Sequence, residues 1–251
     1  MAGSAEAIVE DLRWLGLDWD EQAAQSERLH PYERALARLS DARIAFACSC
    51  SRADIVRAAS APHAGEDGPR YPGTCRDRSL SEGAVRFMVQ PGEVCFDDLV
   101  HGRYCQDVSA TTGDFVLRRA DGVFAYQLAV VVDDVDMRIE QVVRGDDLLS
   151  STPRQLLLYQ ALGAEPPEFA HVPLILGPDG QRLSKRHGAI AVRDFREAGT
   201  TSAKLVGALA ASLGLCQDAE ALSPTDLLPA FSWQRLRIVS PSPSLDRLIP
   251  S

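Results

Sequence analysis

Few folds accept a chain whose hydrophobic period switches as often as this one does between residues 84 and 176. Ala84–Val89 and Phe115–Arg119 read as short strands, and Asp121-Gly122 as a turn before the extended stretch Val123–Tyr126. Gln141–Arg144 reads as another strand. Thr152-Pro153 opens a helix reaching Leu162, and Val172–Leu176 is an apolar strand. Strands that alternate with helices in this way predict an α/β fold with a partly parallel sheet.

The flanking segments are simpler. Residues 4–15 have the pattern of an amphipathic helix, with Ser4 able to cap it, Ile8, Leu12 and Leu15 forming a stripe, and Gly16 ending it. A second helix fits 31–43, with Pro31 in its first turn and Leu36 and Leu39 facing inward. Ser51 and Asp54 have capping-box spacing for a short third helix, and residues 60–80 read as an irregular loop. Thr201–Leu213 carries Leu205, Leu209 and Leu213 on one helical face. The tail after Ser232, with Pro241, Pro243 and Pro250, reads as irregular, and no internal repeat is visible.

Composition excludes several classes of function. A chain of 251 residues with 45% hydrophobic and 24% charged residues folds as a globule of one large domain or two ordinary ones. Its net charge of −9 excludes a generally basic nucleic-acid coat, so any RNA contact must come from local patches. No apolar run approaches the roughly 18 residues of a membrane helix. Residues 1–15 hold Glu6, Glu10 and Asp11 and no apolar core of a signal peptide. The expectation is a soluble cytoplasmic protein with no membrane partner.

The segment Leu176-Gly177-Pro178-Asp179-Gly180-Gln181-Arg182-Leu183-Ser184-Lys185-Arg186-His187-Gly188 carries the sharpest chemical signal. Glycines on either side of Arg182, Lys185 and Arg186 let a basic loop move, and Lys185 is one of only two lysines among 26 basic residues. A mobile ammonium suits a triphosphate whose charge shifts toward a leaving pyrophosphate. A surface hairpin with solvated charges is the plain alternative. The segment resembles the K-M-S-K-S loop of class I aminoacyl-tRNA synthetases, in the form found in the glutamyl branch.

The resemblance extends upstream through Gly122-Val123-Phe124-Ala125-Tyr126-Gln127-Leu128-Ala129-Val130-Val131-Val132-Asp133-Asp134, through Val142-Val143-Arg144-Gly145-Asp146-Asp147, and through Ser151-Thr152-Pro153-Arg154-Gln155. It covers roughly residues 4–215. It implies a Rossmann-like class I catalytic domain formed by 1–45 and 120–232. An inserted zinc-containing, stem-contacting subdomain would occupy 46–119, with an irregular tail over 233–251. It implies ATP, with Mg2+, as a substrate held by Arg182, Ser184, Lys185 and Arg186, Lys185 being catalytic. It also implies L-glutamate held by Tyr126 and Arg144. Without the resemblance, spacing alone favours Tyr126 as a half-buried core tyrosine and Arg144 as an ion-pair partner of Asp146 or Asp147. Phe-Ala-Tyr followed by Leu-Ala-Val-Val-Val-Asp-Asp points within the branch to enzymes that place glutamate on a queuosine base in the anticodon stem-loop of tRNA(Asp), acting as monomers. A glutamyl-tRNA synthetase fragment charging tRNA(Glu) and an inactive RNA-binding remnant are the alternatives. The family's opening strand, glycine turn and H-x-G-H helix do not occur in this sequence, so impaired activation is expected of it.

Cys48-Ser49-Cys50 and Tyr71-Pro72-Gly73-Thr74-Cys75 bring three thiols and a phenol into two short clusters. Such spacing on a Gly/Pro-rich segment suits a structural zinc knuckle, with His63 as the conventional fourth ligand by chemistry; small buried thiols are the alternative. The resembled family instead implies Cys48, Cys50, Tyr71 and Cys75 as the ligand set. Cys95, Cys105 and Cys216 show no partners in the sequence, and His30, His101 and His171 form no catalytic constellation with neighbours.

Overall fold

The computed structural model describes residues 3–58, 69–176, 191–216 and 221–236. Helix α1 (Ser4–Trp14) is followed by α2 (Leu29–Asp41), β1 (Ala45–Cys48), α3 (Arg52–Ala58), β2 (Ala84–Phe87), β3 (Glu93–Asp98) and β4 (Gly102–Asp107). Then come α4 (Val108–Thr111), β5 (Val116–Arg118), α5 (Tyr126–Asp136), β6 (Gln141–Gly145), α6 (Thr152–Ala161) and β7 (Glu168–Val172). Helices α7 (Val192–Glu197), α8 (Ser202–Ser212), α9 (Pro224–Leu227) and α10 (Trp233–Leu236) complete the described chain.

Two sheets organise these elements. One is antiparallel, in the order β1-β2-β5; the other is mixed, in the order β4-β3-β7-β6. In the mixed sheet β7 runs parallel to β6 and to β3, while β3 and β4 form an antiparallel hairpin. The partly parallel sheet read from the alternation is therefore present, and the parallel β6–β7 connection is made by α6, as a crossover requires. Residues 46–119 supply strands to both sheets.

The main core lies where α2, α5 and α6 meet the strands. Leu36 and Leu39 from α2, Leu128 and Val131 from α5, Leu158 from α6, and Phe87, Leu117 and Phe169 pack into it. The α2 stripe is thus as the sequence predicts, although the helix starts two residues earlier. Pro31 is tolerated there because amides of the first turn have no partner within the helix. Ser51 and Asp54 form the expected reciprocal cap of α3: Ser51 N donates to Asp54 at 2.8 Å, and Asp54 N to the Ser51 hydroxyl at 3.2 Å.

Four expectations are corrected. Ser4 does not cap α1 but is its first residue, with Gly3 at the N-cap, and Ile8 of its stripe stays exposed. The apolar strand expected at 172–176 lies at Glu168–Val172, because its register pairs Gln141 with Glu168 and Gly145 with Val172. Pro173 then stops it, having no amide to offer the ladder. The stretch 123–126 is not a strand: Phe124 makes a single bridge to Arg118, and Tyr126 already opens α5. Finally, Cys95 and Cys105 are not unpartnered. They sit directly opposite each other on β3 and β4 and form a disulfide.

Candidate active site and cysteine cluster

Arg144 sits near the end of β6, directly beside His171 of β7 in the parallel register. Neighbouring positions on adjacent strands project to the same face, so the two side chains meet, with Arg144 Nε donating to His171 Nε2 at 3.0 Å. Helix α6 supplies two more acceptors from one face, three residues apart. Arg144 Nη2 donates to Thr152 Oγ1 at 2.8 Å and to Gln155 Oε1 at 2.7 Å. Gln155 Nε2 in turn donates to Gln127 Oε1 at 2.9 Å, on the first turn of α5. A continuous polar chain therefore joins Arg144 to the residue next to Tyr126. Tyr126 itself stands 46% exposed at the start of α5. The ion pair of Arg144 with Asp146 or Asp147 considered from the sequence does not form; the guanidinium turns to His171, Thr152 and Gln155.

Behind Arg144 the chain continues inward. The buried His171 approaches Asp98 Oδ2 through Nδ1 at 2.7 Å. Asp98 also accepts from the backbone amides of Val100 at 2.9 Å and His101 at 2.8 Å. Burial by itself would raise the Asp98 pKa, but the hydrogen bonds from His171 and these amides outweigh it and hold the carboxyl below its ordinary value. His171, read from the sequence as lacking a constellation, is thus the centre of one. The sequence signal was faint, since its side-chain partners Thr152, Arg144 and Asp98 lie 19, 27 and 73 residues away.

The adjacent Asp133 and Asp134 serve different neighbours. Asp133 gathers Gln25 at 2.8 Å, the Arg28 Nε at 2.9 Å and the Tyr32 hydroxyl, tying α2 and its approach to α5. Burial, then the hydrogen bond to Asp133, pushes the Tyr32 phenol up to about 12. Asp134 accepts from the Tyr159 hydroxyl at 2.9 Å. Burial raises the Asp134 pKa, although the Tyr159 hydrogen bond and the field of Arg144 oppose the shift.

A second site lies around β1. Cys48, Cys50 and Cys75 bring their sulfurs within 4.8 Å of one another, and this trio could hold a metal ion. Tyr71 joins them, its hydroxyl 3.4 Å from Cys48 Sγ and accepting from the Cys75 amide at 2.9 Å. Tetrahedral zinc holds neighbouring sulfurs about 3.8 Å apart. The Cys50–Cys75 sulfur separation of 3.5 Å is close to that, so the donor set fits the ion that the resemblance implies. Burial pushes the Cys50 thiol up to about 11. Burial would raise Cys75 as well, but hydrogen bonds led by Tyr71 outweigh it and hold this thiol below its ordinary value. The Arg86 guanidinium lies over the Tyr71 ring, 4.1 Å from its centre. Arg182, Ser184, Lys185 and Arg186, and the alternative ligand His63, lie outside the described residues.

Residues 1–233 match the family described as tRNA synthetases class I (E and Q), catalytic domain. The chain is 48% identical over 252 residues to a glutamyl-Q tRNA(Asp) synthetase of Symbiobacterium thermophilum, a match covering 92% of this chain and 78% of the relative. It is 44% identical to the glutamyl-Q tRNA(Asp) synthetase of Nitratidesulfovibrio vulgaris, covering 97% of this chain and 82% of that one. Among solved structures, the glutamate-tRNA synthetase of Elizabethkingia anophelis superposes with a TM-score of 0.78 at 25% identity. That match covers 97% of this chain and spans 58% of the solved one. No described helix is long and apolar enough to cross a membrane.

Proposed function

We propose, for a chain that belongs to the class I tRNA synthetase catalytic-domain family of the glutamate and glutamine type, that it activates L-glutamate with ATP and transfers it to the queuosine base in the anticodon of tRNA(Asp). In this reading the α-carboxylate attacks the α-phosphorus, pyrophosphate leaves, and a queuosine hydroxyl then displaces AMP from the glutamyl carbonyl. The observation that carries it is Arg144, a planar cation clamped on one edge by His171, Thr152 and Gln155 and so presented to a carboxylate. The names borne by relatives 44% to 48% identical over most of the chain support queuosine as acceptor.

Tyr126 and Arg144 receive glutamate. Lys185, Ser184, Arg182 and Arg186 receive ATP with its magnesium, Lys185 following the charge of the leaving pyrophosphate. Cys48, Cys50, Tyr71 and Cys75 hold a structural zinc, which supplies no chemistry and ties the loop after β1 to the body. The catalytic domain is assigned to 1–45 and 120–232 and the inserted unit to 46–119, in a cytoplasmic, monomeric enzyme.

The test is transfer of labelled glutamate by the full-length protein to tRNA(Asp) carrying queuosine, with nuclease mapping of the label. Label in the anticodon fragment, lost in Arg144→Ala, supports the reading. Label on the 3′-terminal adenosine of tRNA(Glu) would establish an ordinary glutamyl-tRNA synthetase instead.

A further inference from the structure

We propose that Asp98 and His171 are positioning residues that select which edge of Arg144 faces the substrate. The proposal rests on the reading of Arg144 as the carboxylate-binding cation. A guanidinium has five N–H donors: one on Nε and two on each terminal nitrogen. In this structure Nε is taken by His171 at 3.0 Å, and Nη2 by Thr152 and Gln155 at 2.8 and 2.7 Å. Three donors are thus committed, and the two on Nη1 have no partner among the described residues. The same three bonds fix the plane of the group, so Nη1 points in one direction only.

That arrangement depends on the tautomer of His171. Arg144 Nε can only donate, so Nε2 of His171 must carry a lone pair, and its proton must lie on Nδ1. Asp98 Oδ2, 2.7 Å from Nδ1, supplies the acceptor that keeps it there. The side chains of His171 and Asp98 are both 0% exposed, so water cannot substitute for either partner. The ring plane is also held. Phe169 lies nearly parallel to it, at 18° and 6.2 Å between centres, and Phe96 meets it edge-on. A buried, hydrogen-bonded Asp–His pair costs stability unless every polar atom is satisfied. Here each is, and the chain ends on the guanidinium of Arg144. Two residues 73 apart in sequence therefore set the donor geometry of a third that would touch the substrate.

Histidine-selective 15N NMR on the full-length protein reads the tautomer directly. Nδ1-protonated His171 at neutral pH is expected, and an Nε2-protonated ring would overturn the proposal. In the glutamate-transfer assay, His171→Phe keeps the ring stack but removes the acceptor. It should raise KM for glutamate about tenfold or more, because a committed donor is left unpaired, while KM for ATP stays within about threefold. Asp98→Asn should do the same by turning the tautomer over. His171→Gln offers a carbonyl oxygen where Nε2 lies and should restore glutamate KM to within about threefold of the natural protein. An unchanged glutamate KM in His171→Phe beside a raised one in Arg144→Ala refutes the positioning role alone. Parallel loss of glutamate and ATP binding in His171→Phe, without rescue by Gln, also refutes it. An Arg144→Ala variant with normal glutamate KM removes the underlying reading of the pocket.

Discussion

Replacing Asp114 by alanine should destabilise the protein by about 3 kcal/mol, and the structure shows where that figure comes from. The Asp114 carboxylate is fully buried and accepts three hydrogen bonds. Two come from Arg76, at 2.7 Å from Nε and 2.6 Å from Nη2, and one from the Val89 amide at 2.9 Å. Alanine leaves the Val89 amide buried without an acceptor, at about 1–3 kcal/mol. Arg76 loses a bidentate partner, but it is 32% exposed and keeps its bond to the Val89 carbonyl, so its share is nearer 1 kcal/mol. For a chain of this size the sum corresponds to a fall of about 6–12 °C in Tm. Urea unfolding measures it. Arg76→Met should cost more, about 3–5 kcal/mol, because it strands a carboxylate in the interior with a single remaining donor to its side chain. The double variant should cost clearly less than the two singles together, since the stranded charge is gone. A loss below about 0.5 kcal/mol in Asp114→Ala, or strict additivity in the double variant, would sink this account of the Arg76–Asp114 anchor. The anchor matters for the second site because Arg76 follows Cys75 directly.

Three further outcomes are expected. Gly113 has φ +68°, and a Cβ there would come within 2.4 Å of the Tyr71 carbonyl oxygen; Gly113→Ala should cost about 1–3 kcal/mol and lower bound metal, whereas Gly122→Ala, strained but open, should cost less and leave metal content unchanged. Metal analysis of the purified protein should find about one zinc per chain, falling sharply in Cys75→Ser, and a chelator should lower the Tm of the natural protein. Asp98 has a folded-state pKa below its unfolded value, so the stability it contributes is complete above the usual carboxylate range and is lost as pH falls through the folded value. The urea-midpoint gap between the natural protein and Asp98→Asn should therefore close on acidification, and a gap that widens instead would contradict the assigned direction.

Much of the fold is legible in the amino-acid sequence itself. Periodicity locates α2 and α8 and the Thr152-Pro153 start locates α6, because these signals are local properties of the chain, whereas α5 is marked by the family resemblance of residues 122–134. Capping chemistry locates α3 for the same reason: Ser51 and Asp54 are three residues apart and satisfy each other. The spacing of Cys48, Cys50 and Cys75 marks a cluster, and three thiols are brought together there. The hairpin of β3 and β4 is hidden in the sequence because Glu93–Asp107 is too polar to show a strand period; its stability comes from the cross-strand pair Cys95–Cys105 and from β7 alongside. The strand at 168–172 starts four residues upstream of the apolar run that signals it, since such a run does not say where the partner strand begins.

Residue types and short-range spacing thus settle the α/β class, several of the helices and the cysteine cluster, while Arg144 and Tyr126 are singled out by the family resemblance. What surrounds Arg144 is decided by tertiary structure alone. Its partners come from β7, α6 and, through His171, β3, and only strand register brings them to one face. Hydrogen bonding between side chains is a matter of a few tenths of an ångström, and no pattern along a single chain encodes distances between segments that lie tens of residues apart.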